Sequence, residues 1–481
     1  MNRKHIVNCI AVALLLMMFA LALGSARLKS PTMDEQNHIA RGAAYLLTGD
    51  LRLSVEHPPL VNTLSALPLL LCPQLELPLE HPSWQNGAWY VFADQFLWQA
   101  NAHQVECIVF LSRLLVMALG LLLGALLYRW AREMGGERAG LLALFLLVCD
   151  PNILAHTRLV TTDLGVTFFV FLALYTLWRV WGRQAPHLGE QVLRHWGNVI
   201  LAGIALGLAL TAKFSALLLI PLFALMAFYQ AITHKTPRPL ITLLAIFALA
   251  ALSLWAVYGF EIGPLSPGGL PLPAPSYLNG VRAILQRTEG GNPAFLLGRY
   301  STTGWWYYFP LAFLVKTPLP TLLLLAASLI STLRRRAWNR DLFLLIPMAA
   351  FFGVNLFSHL NIGYRHLLPA LPFAFVYVSQ RISSKFLLAD AKPRILNSKP
   401  GTLNPKPGTL NLKQVVGGLL AAWYLISAVL IYPDYLTYFN ELAGGSSNGY
   451  RWLVDSNLDW GQDLPGLQRY VEEHGLKEIY L

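Results

Sequence analysis

The sequence predicts an all-α protein that crosses a membrane many times. Of its 481 residues 55% are hydrophobic and only 13% are charged, whereas soluble domains carry about 25% charged residues. The hydrophobic residues fall into long apolar runs, which is the pattern of membrane-spanning helices. We therefore expect a transmembrane domain over 1–432. A polar segment, 433–481, follows it and is interpreted as the start of a small or incomplete soluble domain.

Eleven apolar runs are predicted to span the membrane, although several are shorter than the ~20 residues of a perpendicular helix. The first run follows Arg3 and Lys4 and is interpreted as a retained signal anchor rather than a cleaved signal peptide. The stretch 60–72 is interrupted by Pro68 and predicts a helix on the membrane surface instead of a span. The predicted spans are 6–24, 107–130, 139–150, 160–181, 198–212, 214–231, 239–259, 305–332, 341–358, 365–380 and 414–432.

The basic residues indicate the orientation of the chain. With the N-terminus in the cytoplasm, the inner segments carry more than half of the 36 Lys and Arg residues, and most of the 25 acidic residues lie outside. This bias predicts an N-in, C-out protein of the cell membrane, with a first outer loop at 25–106. The net charge of +11 comes from short loops between apolar runs, so it does not indicate a nucleic-acid partner.

One inner segment, 381–413, has the composition of a flexible linker. It contains the sequence Lys-Pro-Gly-Thr-Leu-Asn twice, beginning at Lys399 and at Lys406. Pro-Gly pairs with little apolar content are typical of a mobile connection. We interpret the repeat as a tolerated insertion between two spans, with a docking site as the alternative.

The stretch 31–60 follows the first span directly and concentrates ionisable residues. Asp34 and Glu35 are adjacent, and Glu56 and His57 come shortly afterwards. Neighbouring carboxylates repel, and near a low-dielectric surface one of them tends to have a raised pKa. Such a pair suits proton abstraction or cation binding. The alternative is a solvated acidic loop.

Other polar residues are predicted at the same outer rim. His156 and Asp163 lie at the short turn between spans three and four, Lys213 lies between two spans, and Arg365 with His366 opens span ten. Ionisable groups beside hydrocarbon are costly and usually mark a functional site. Structural alternatives exist, because Asp163 could cap a helix and the basic residues could reach lipid head groups.

Together these residues suggest group transfer from a lipid carrier. Cations at the rim would hold the carrier phosphate, while a carboxylate would deprotonate an acceptor hydroxyl. The sequence contains no Gly-rich phosphate loop of the nucleotide-binding type. Asp34, Glu35 and Asp163 could also supply oxygen ligands to a divalent metal, but carboxylates alone do not establish one, and no cofactor is certain.

Five blocks of the sequence resemble bacterial polyprenyl-phosphate-dependent glycosyltransferases, which are similar to protein O-mannosyltransferases and to the lipid A aminoarabinose transferase. In chain order the blocks are Met33–His38, Glu56–Leu60, Asp150–His156 with Thr161–Asp163, Gly363–Pro369 and Asn457–Leu464. The resemblance implies a fold of the glycosyltransferase-C (GT-C) superfamily, with surface helices in the first outer loop.

The resemblance also implies roles for individual residues. The implied catalytic acids are Asp34, Glu35 and Asp163. The residues implied near the substrate or the carrier phosphate are His57, His156, Lys213, Arg365 and His366. The implied reaction moves a hexosyl or pentosyl group, with inversion, from polyprenyl phosphate to a hydroxyl of a protein, lipid or glycan at the non-cytoplasmic face. A lipid or solute transporter and a non-catalytic relative are the alternatives.

Overall fold

The computed structural model describes residues 3–182, 191–335, 338, 341–383 and 412–479. As predicted, the protein is mostly helical. The β-structure of these residues is limited to two antiparallel hairpins, β1 (Ile262–Pro264) with β2 (Pro271–Pro273) and β3 (Ala294–Leu296) with β4 (Arg299–Ser301). The repeat-containing linker predicted at 381–413 lies almost wholly outside the described residues.

Six helices of the described chain are long and apolar enough to cross a membrane. Each falls on a predicted span, although α6 extends beyond the predicted 107–130 at both ends. A short 3-10 turn, Phe214–Leu218, leads directly into α11. The six are α1 (Arg3–Leu28), α6 (Val105–Gly135), α9 (Thr162–Trp181), α10 (Gln191–Ala212), α11 (Leu219–His234) and α12 (Arg238–Val257).

Two further spans are broken pairs of helices. α7 (Glu137–Val148) meets α8 (Pro151–Thr157) at 67°, and α14 (Tyr308–Lys316) meets α15 (Leu319–Arg335) at 114°. Proline lacks the backbone N–H that would continue a helix, and Pro151 and Pro318 stand at the two breaks. Asp150 then caps α8, because its carboxylate accepts the N–H groups of Asn152 at 2.9 Å and Ile153 at 3.0 Å.

The remaining predicted spans are shorter helices, so the count of eleven is not confirmed. The long apolar helices and the two bent pairs give up to eight spans in the described part of the chain. Predicted span ten begins as a 3-10 turn, Tyr364–Ala370, before it becomes a helix. The shorter helices are α16 (Leu342–Asn355), α17 (Leu371–Ser383) and α18 (Leu412–Leu430).

Three segments contact one another at one end of the bundle, and we call this end the loop face. They are 29–104, 261–307 and 433–479. The first segment carries surface helices, as predicted, and the stretch at 60–72 forms only a short helix and a 3-10 turn. The polar C-terminal segment contains one α-helix, and residues 474–479 after it form no strand. The helices here are α2 (Met33–Thr48), α3 (Leu60–Ala66), α4 (Pro82–Gln85), α5 (Trp89–Asp94), α13 (Pro275–Gly290) and α19 (Leu464–Glu473).

Residues at its two ends determine where α2 begins and where it stops. Thr32 accepts a hydrogen bond from the backbone N–H of Glu35, and the Glu35 carboxylate accepts the N–H of Thr32 at 2.8 Å. This reciprocal capping box satisfies two N–H groups that a helix start leaves open. Gly49 ends the helix in the left-handed conformation, with φ of 72°, and donates its N–H to the Tyr45 carbonyl.

Two glycines allow α2 and α9 to approach α3 closely. A methyl group added to Gly42 of α2 would lie 2.1 Å from the Asn62 carbonyl oxygen, and one added to Gly165 of α9 would lie 2.5 Å from Val61. Both distances are far below van der Waals contact, so only glycine fits. α3 is therefore packed between the helix that carries Asp34 and the helix that carries Asp163.

We predict that Gly42→Ala lowers the free energy of unfolding by about 1–3 kcal/mol, because the added methyl group must push α3 away from α2. Thermal unfolding in detergent measures the effect. The matched control is Gly197→Ala in α10, where an added methyl group has no neighbour within 4 Å. Equal melting temperatures for the two variants would contradict the predicted close packing.

Candidate active site

The candidate site is centred on a contact between two residues that are 331 positions apart. Nη1 of Arg365 donates to Oδ2 of Asp34 at 3.2 Å. The Asp34 side chain is 38% exposed, whereas that of Arg365 is 11% exposed. The start of α2 and the Tyr364–Ala370 turn thus meet on the loop face, as the sequence predicted for residues of one rim.

The segment 455–463, which we call the C-terminal strap, holds these two elements together. The Arg365 guanidinium lies 4.1 Å above the Trp460 ring, and the Trp460 carbonyl accepts the backbone N–H of Met33 at 3.1 Å. Asn457 accepts the N–H of Tyr364 at 2.8 Å. A cation over an aromatic face is held by the ring quadrupole, so the strap fixes the direction in which Arg365 approaches Asp34.

A second ion pair lies beside the first. Nζ of Lys213 donates to Oδ1 of Asp163 at 2.5 Å, and the Asp163 side chain is 3% exposed. Arg365, His156 and His366 are also close enough to interact with the Asp163 charge. Thr161, and not Asp163, is the N-cap of α9. Asp163 therefore does not cap the helix, and Lys213 does not reach for lipid head groups. The two side chains form an ion pair with each other instead.

Two histidines connect the acids. Nδ1 of His38 lies 2.9 Å from Oδ1 of Asn62, and its ring centroid is 4.9 Å from that of His57. Burial lowers the pKa of His38 to about 4, and burial with neighbouring positive charge lowers the pKa of His57 well below its usual range. Both imidazoles are neutral at pH 7. They offer hydrogen bonds beside Asp34 and Asp163 without adding charge.

Several buried nitrogen atoms of the site have no hydrogen-bond partner among the described residues. They are Nδ1 of His57, Nδ1 of His156, Nε of Arg365 and Nε2 of His366. A buried polar group without a partner costs about 1–3 kcal/mol, so natural proteins keep few of them. These four nitrogens lie close to the two ion pairs, where they could donate to the oxygen atoms of a ligand.

Glu35 does not share this environment with Asp34. Its side chain is fully buried, and both oxygens accept from the Arg113 guanidinium at 2.8 Å, while Oε1 also accepts the Val160 N–H at 3.0 Å. Burial alone would raise the pKa of Glu35, but Arg113 and the backbone donors lower it below its usual value. The interpretation of Asp34 and Glu35 as a mutually repelling pair with one raised pKa is therefore wrong for Glu35.

The described residues contain no group of three or more His, Cys, Asp or Glu side chains placed to hold a metal ion. The three carboxylates considered for such a role each face a different cation. Asp34 contacts Arg365, Glu35 contacts Arg113 and Asp163 contacts Lys213. Because this arrangement does not fit a shared metal, we derive no step that uses one.

Three residues of the site environment were not predicted from the sequence. Arg113 lies inside the apolar run 107–130, whose other cation, Arg129, stands at its end, and a cation inside such a run is itself a recognised signal of function. Arg41 follows Asp34 by seven positions and is buried over the Trp89 ring at 4.2 Å. Trp460 lies in a block that carries the family resemblance, although no residue of that block was expected in the site.

Comparisons with known proteins agree with this architecture. Residues 85–261, less than half of the chain, match a family model described as dolichyl-phosphate-mannose-protein mannosyltransferase. No curated protein sequence matches the chain. The resemblance predicted from the sequence is thus confirmed for part of the chain.

Solved structures extend the likeness to most of the fold. ArnT from Cupriavidus metallidurans bound to undecaprenyl phosphate aligns with a TM-score of 0.53 at 16% identity, over 79% of this chain and 60% of that one. The apo oligosaccharyltransferase of Archaeoglobus fulgidus aligns with a TM-score of 0.55 at 15% identity, over 94% of this chain and 56% of that one. These likenesses establish the GT-C fold. The chain spans about three fifths of the length of these proteins.

We predict that Glu35→Gln destabilises the protein by about 3–5 kcal/mol, because it leaves Arg113 buried without its counter-ion. Chemical unfolding in detergent measures the change. Asp34→Asn is the matched control and should change stability by less than about 1 kcal/mol, since Asp34 is partly exposed.

The same pair has a pH signature. Because the folded pKa of Glu35 lies below its ordinary value of 4.5, its contribution to stability is present above pH 4.5 and is lost as the pH falls through the folded value. Glu35→Gln should lack this acid-dependent loss. An identical acid-dependent decline in wild type and variant would contradict the role of the ion pair.

Proposed function

We propose that the protein is a membrane glycosyltransferase that moves a sugar from polyprenyl phosphate to an acceptor hydroxyl at the non-cytoplasmic face of the cell membrane. The observation that carries the proposal is the meeting of Asp34 and Arg365 at 3.2 Å, next to the Asp163–Lys213 pair. Base, cations and unpartnered donors stand together at the end of a bundle of apolar helices. A donor with a membrane-embedded tail can present its phosphate there.

The carrier phosphate would be held by the basic groups around Asp163. Lys213 and Arg365 supply positive charge, and the unpartnered nitrogens of His57, His156 and His366 supply further donors. Two large cavities open on the loop face, and neither is lined by Asp34 or Asp163. In this structure Lys213 is paired with Asp163, and Arg365 is paired with Asp34. Because Arg365 is already paired, phosphate binding is expected to draw it away from Asp34.

That exchange would prepare Asp34 for catalysis. Freed from Arg365, the carboxylate can accept the proton of the acceptor hydroxyl as a general base. The acceptor oxygen forms its bond to the anomeric carbon, and the bond from that carbon to the phosphate oxygen breaks with its electron pair. The released polyprenyl phosphate carries one more negative charge than the donor, and Lys213 with Arg365 stabilises it. A single displacement of this kind inverts the anomeric centre.

Glu35 and Asp163 receive supporting roles in this proposal. Glu35 is enclosed by Arg113 and the backbone, so it positions α2 instead of touching the substrate. Asp163 orients Lys213 until the phosphate arrives. Asp34 alone of the three predicted catalytic acids has a substantially exposed carboxylate.

The comparisons support the same chemistry. The matching family model is named for mannose transfer from dolichyl phosphate. The similar ArnT structure contains undecaprenyl phosphate, and an Archaeoglobus fulgidus AglB structure, with a TM-score of 0.50 at 14% identity over 89% of this chain and 55% of that one, contains a dolichol-phosphate and an inhibitory peptide. A transporter would instead place its charged residues near the middle of the bundle, whereas here they gather at one end.

We predict that Asp34→Asn lowers sugar transfer at least 100-fold, because the amide cannot accept the hydroxyl proton. Membranes containing the full chain are supplied with a panel of labelled polyprenyl-phosphate hexoses and pentoses, and acceptor-bound label is counted. Glu473→Gln, at an exposed residue at the end of α19, is the control. Undiminished transfer by the Asp34 variant would remove Asp34 from the mechanism. Label crossing sealed vesicles without a new glycosidic bond would instead indicate transport.

We also predict that Lys213→Met raises the KM for the donor at least tenfold, because the phosphate loses a charge-assisted hydrogen bond. Asp163 would then be buried without a partner, so Lys213→Met/Asp163→Asn serves as the stability control. If both variants fold and bind labelled undecaprenyl phosphate as wild type does, Lys213 does not contact the carrier.

A further inference from the structure

A cavity of about 980 Å³ opens on the loop face beyond the candidate site. Its lining combines the C-terminal end of α2, the loop after it, the end of α12 and one side of α13. Many of the lining groups are hydroxyls, amides or carboxylates, among them Tyr45, Thr63, Tyr258, Glu261, Ser276 and Asn279.

The cavity and the candidate site share a wall. Thr63 lines the cavity, while the preceding residue, Asn62, contacts His38 in the site. Gly280 lines the cavity and packs against Phe214, which follows Lys213 in the chain. A ligand in the cavity is thus separated from the catalytic groups by a single layer of residues.

A polar stripe on α2 also joins the two places. Asp34, His38, Arg41, Tyr45 and Thr48 follow one another at intervals of four, three, four and three residues, which places them along one side of the helix. The last two line the cavity. At 1.5 Å per residue, Tyr45 lies about 16 Å along the axis from Asp34. A monosaccharide attached to the carrier phosphate is too short to cover that distance, so the cavity suits a longer acceptor.

The charges of the cavity exclude a phosphate as its ligand. Arg52 is the one basic residue among those that line it, and it is paired with Asp50 at 2.7 Å. Glu261 adds a second acid, which accepts the hydroxyl of Ser276 at 2.7 Å. The lining therefore carries a net negative charge and repels anionic groups.

Two observations favour a carbohydrate over a peptide. Tyr258 is among the residues that line the cavity, and its buried hydroxyl has no partner among the described residues. Aromatic rings with nearby hydroxyl, amide and carboxylate groups suit a hydroxyl-rich ligand. The adjacent hairpin is a poor template for an added peptide strand, because Pro264, Pro271 and Pro273 lack backbone N–H groups.

We infer that this cavity binds the remote part of a neutral glycan acceptor, whose reacting hydroxyl reaches Asp34 once the buried side chains of His38 and Arg41, which lie between the two places, move aside. The inference rests on the proposed function and specifies its acceptor class. Binding energy from a part of the substrate that does not react can then be used to position the reacting hydroxyl.

Blocking the cavity tests the inference. Asn279→Trp places an indole in the cavity, and Gln286→Trp, on the same helix but outside the lining, is the matched control. We use full-chain protein in its own membranes with the labelled polyprenyl-phosphate sugar that the wild type turns over. Asn279→Trp should reduce transfer to the acceptor at least tenfold, with donor binding and release of free sugar to water within twofold of the control. Tyr258→Phe should raise the acceptor KM three- to tenfold.

The product distinguishes the acceptor classes. Label that remains in a protease-resistant glycan or glycolipid supports the inference, whereas label released as glycopeptides overturns it. Transfer by Asn279→Trp equal to that of Gln286→Trp also overturns it.

A binding experiment keeps the inference separate from the proposed function. In Asp34→Asn protein, a photo-crosslinking benzoylphenylalanine at position 279 should capture periodate-oxidisable carbohydrate, and the same group at position 286 should not. If wild type transfers no sugar from any donor, the proposed function is wrong, but this experiment still shows whether the cavity binds a glycan. Equal capture at the two positions overturns the glycan site even when transfer is intact.

Discussion

The structure of the loop face depends on one buried ion pair, between Glu35 and Arg113. The guanidinium also donates to the carbonyl groups of Ala26, Lys29 and Ser30 at 2.8–2.9 Å, and the carboxylate accepts the N–H of Val160. The end of α1, the start of α2, the middle of α6 and the approach to α9 are therefore tied at one point. Both charges are buried, so removing either one leaves the other without a counter-ion. Such a change lowers the free energy of unfolding by several kcal/mol. Asp34 directly precedes Glu35, so this network also holds Asp34 in place.

The neighbouring ion pairs have the opposite character. The Asp34–Arg365 and Asp163–Lys213 pairs lie among nitrogen atoms whose hydrogen-bonding capacity is unused. Nε of Arg365 and one ring nitrogen each of His57, His156 and His366 have no hydrogen-bond partner among the described residues. A fully satisfied network makes a rigid support, and a partly satisfied one leaves capacity for a ligand. The two adjacent acids of α2 thus differ in role because only one is enclosed. Phosphate binding can rearrange the outer pairs without disturbing the inner one.

Close packing then sets the distance between the two halves of the site. α3 is held between Gly42 and Gly165, so its Asn62 side chain reaches His38 while the residue after it, Thr63, faces the large cavity. The C-terminal strap completes the enclosure by placing Trp460 beneath Arg365. Segments from the start, middle and end of the chain are all required. Each contributes either a charge or the surface that directs it.

The sequence by itself determined the class of fold and predicted most residues of the candidate site. Apolar runs and few charges are enough to predict helices in a membrane, because lipid accepts no unpaired backbone group. Asp34, Asp163, Lys213 and Arg365 were predicted because charges next to apolar runs are rare and costly. The sequence could not show that Pro151 and Pro318 break their spans by 67° and 114°, since a hydropathy pattern carries no angles.

Only the tertiary structure decided which carboxylate is enclosed and which is partly exposed. Asp34 and Glu35 are adjacent and chemically alike, so their difference arises from Arg113, which is 78 residues away from Glu35. The pairing of Asp34 with Arg365 and the cavity beyond Tyr45 are likewise contacts between distant segments. The energy of a charge depends on which partner and how much water surround it, and that environment exists only once the helices have packed.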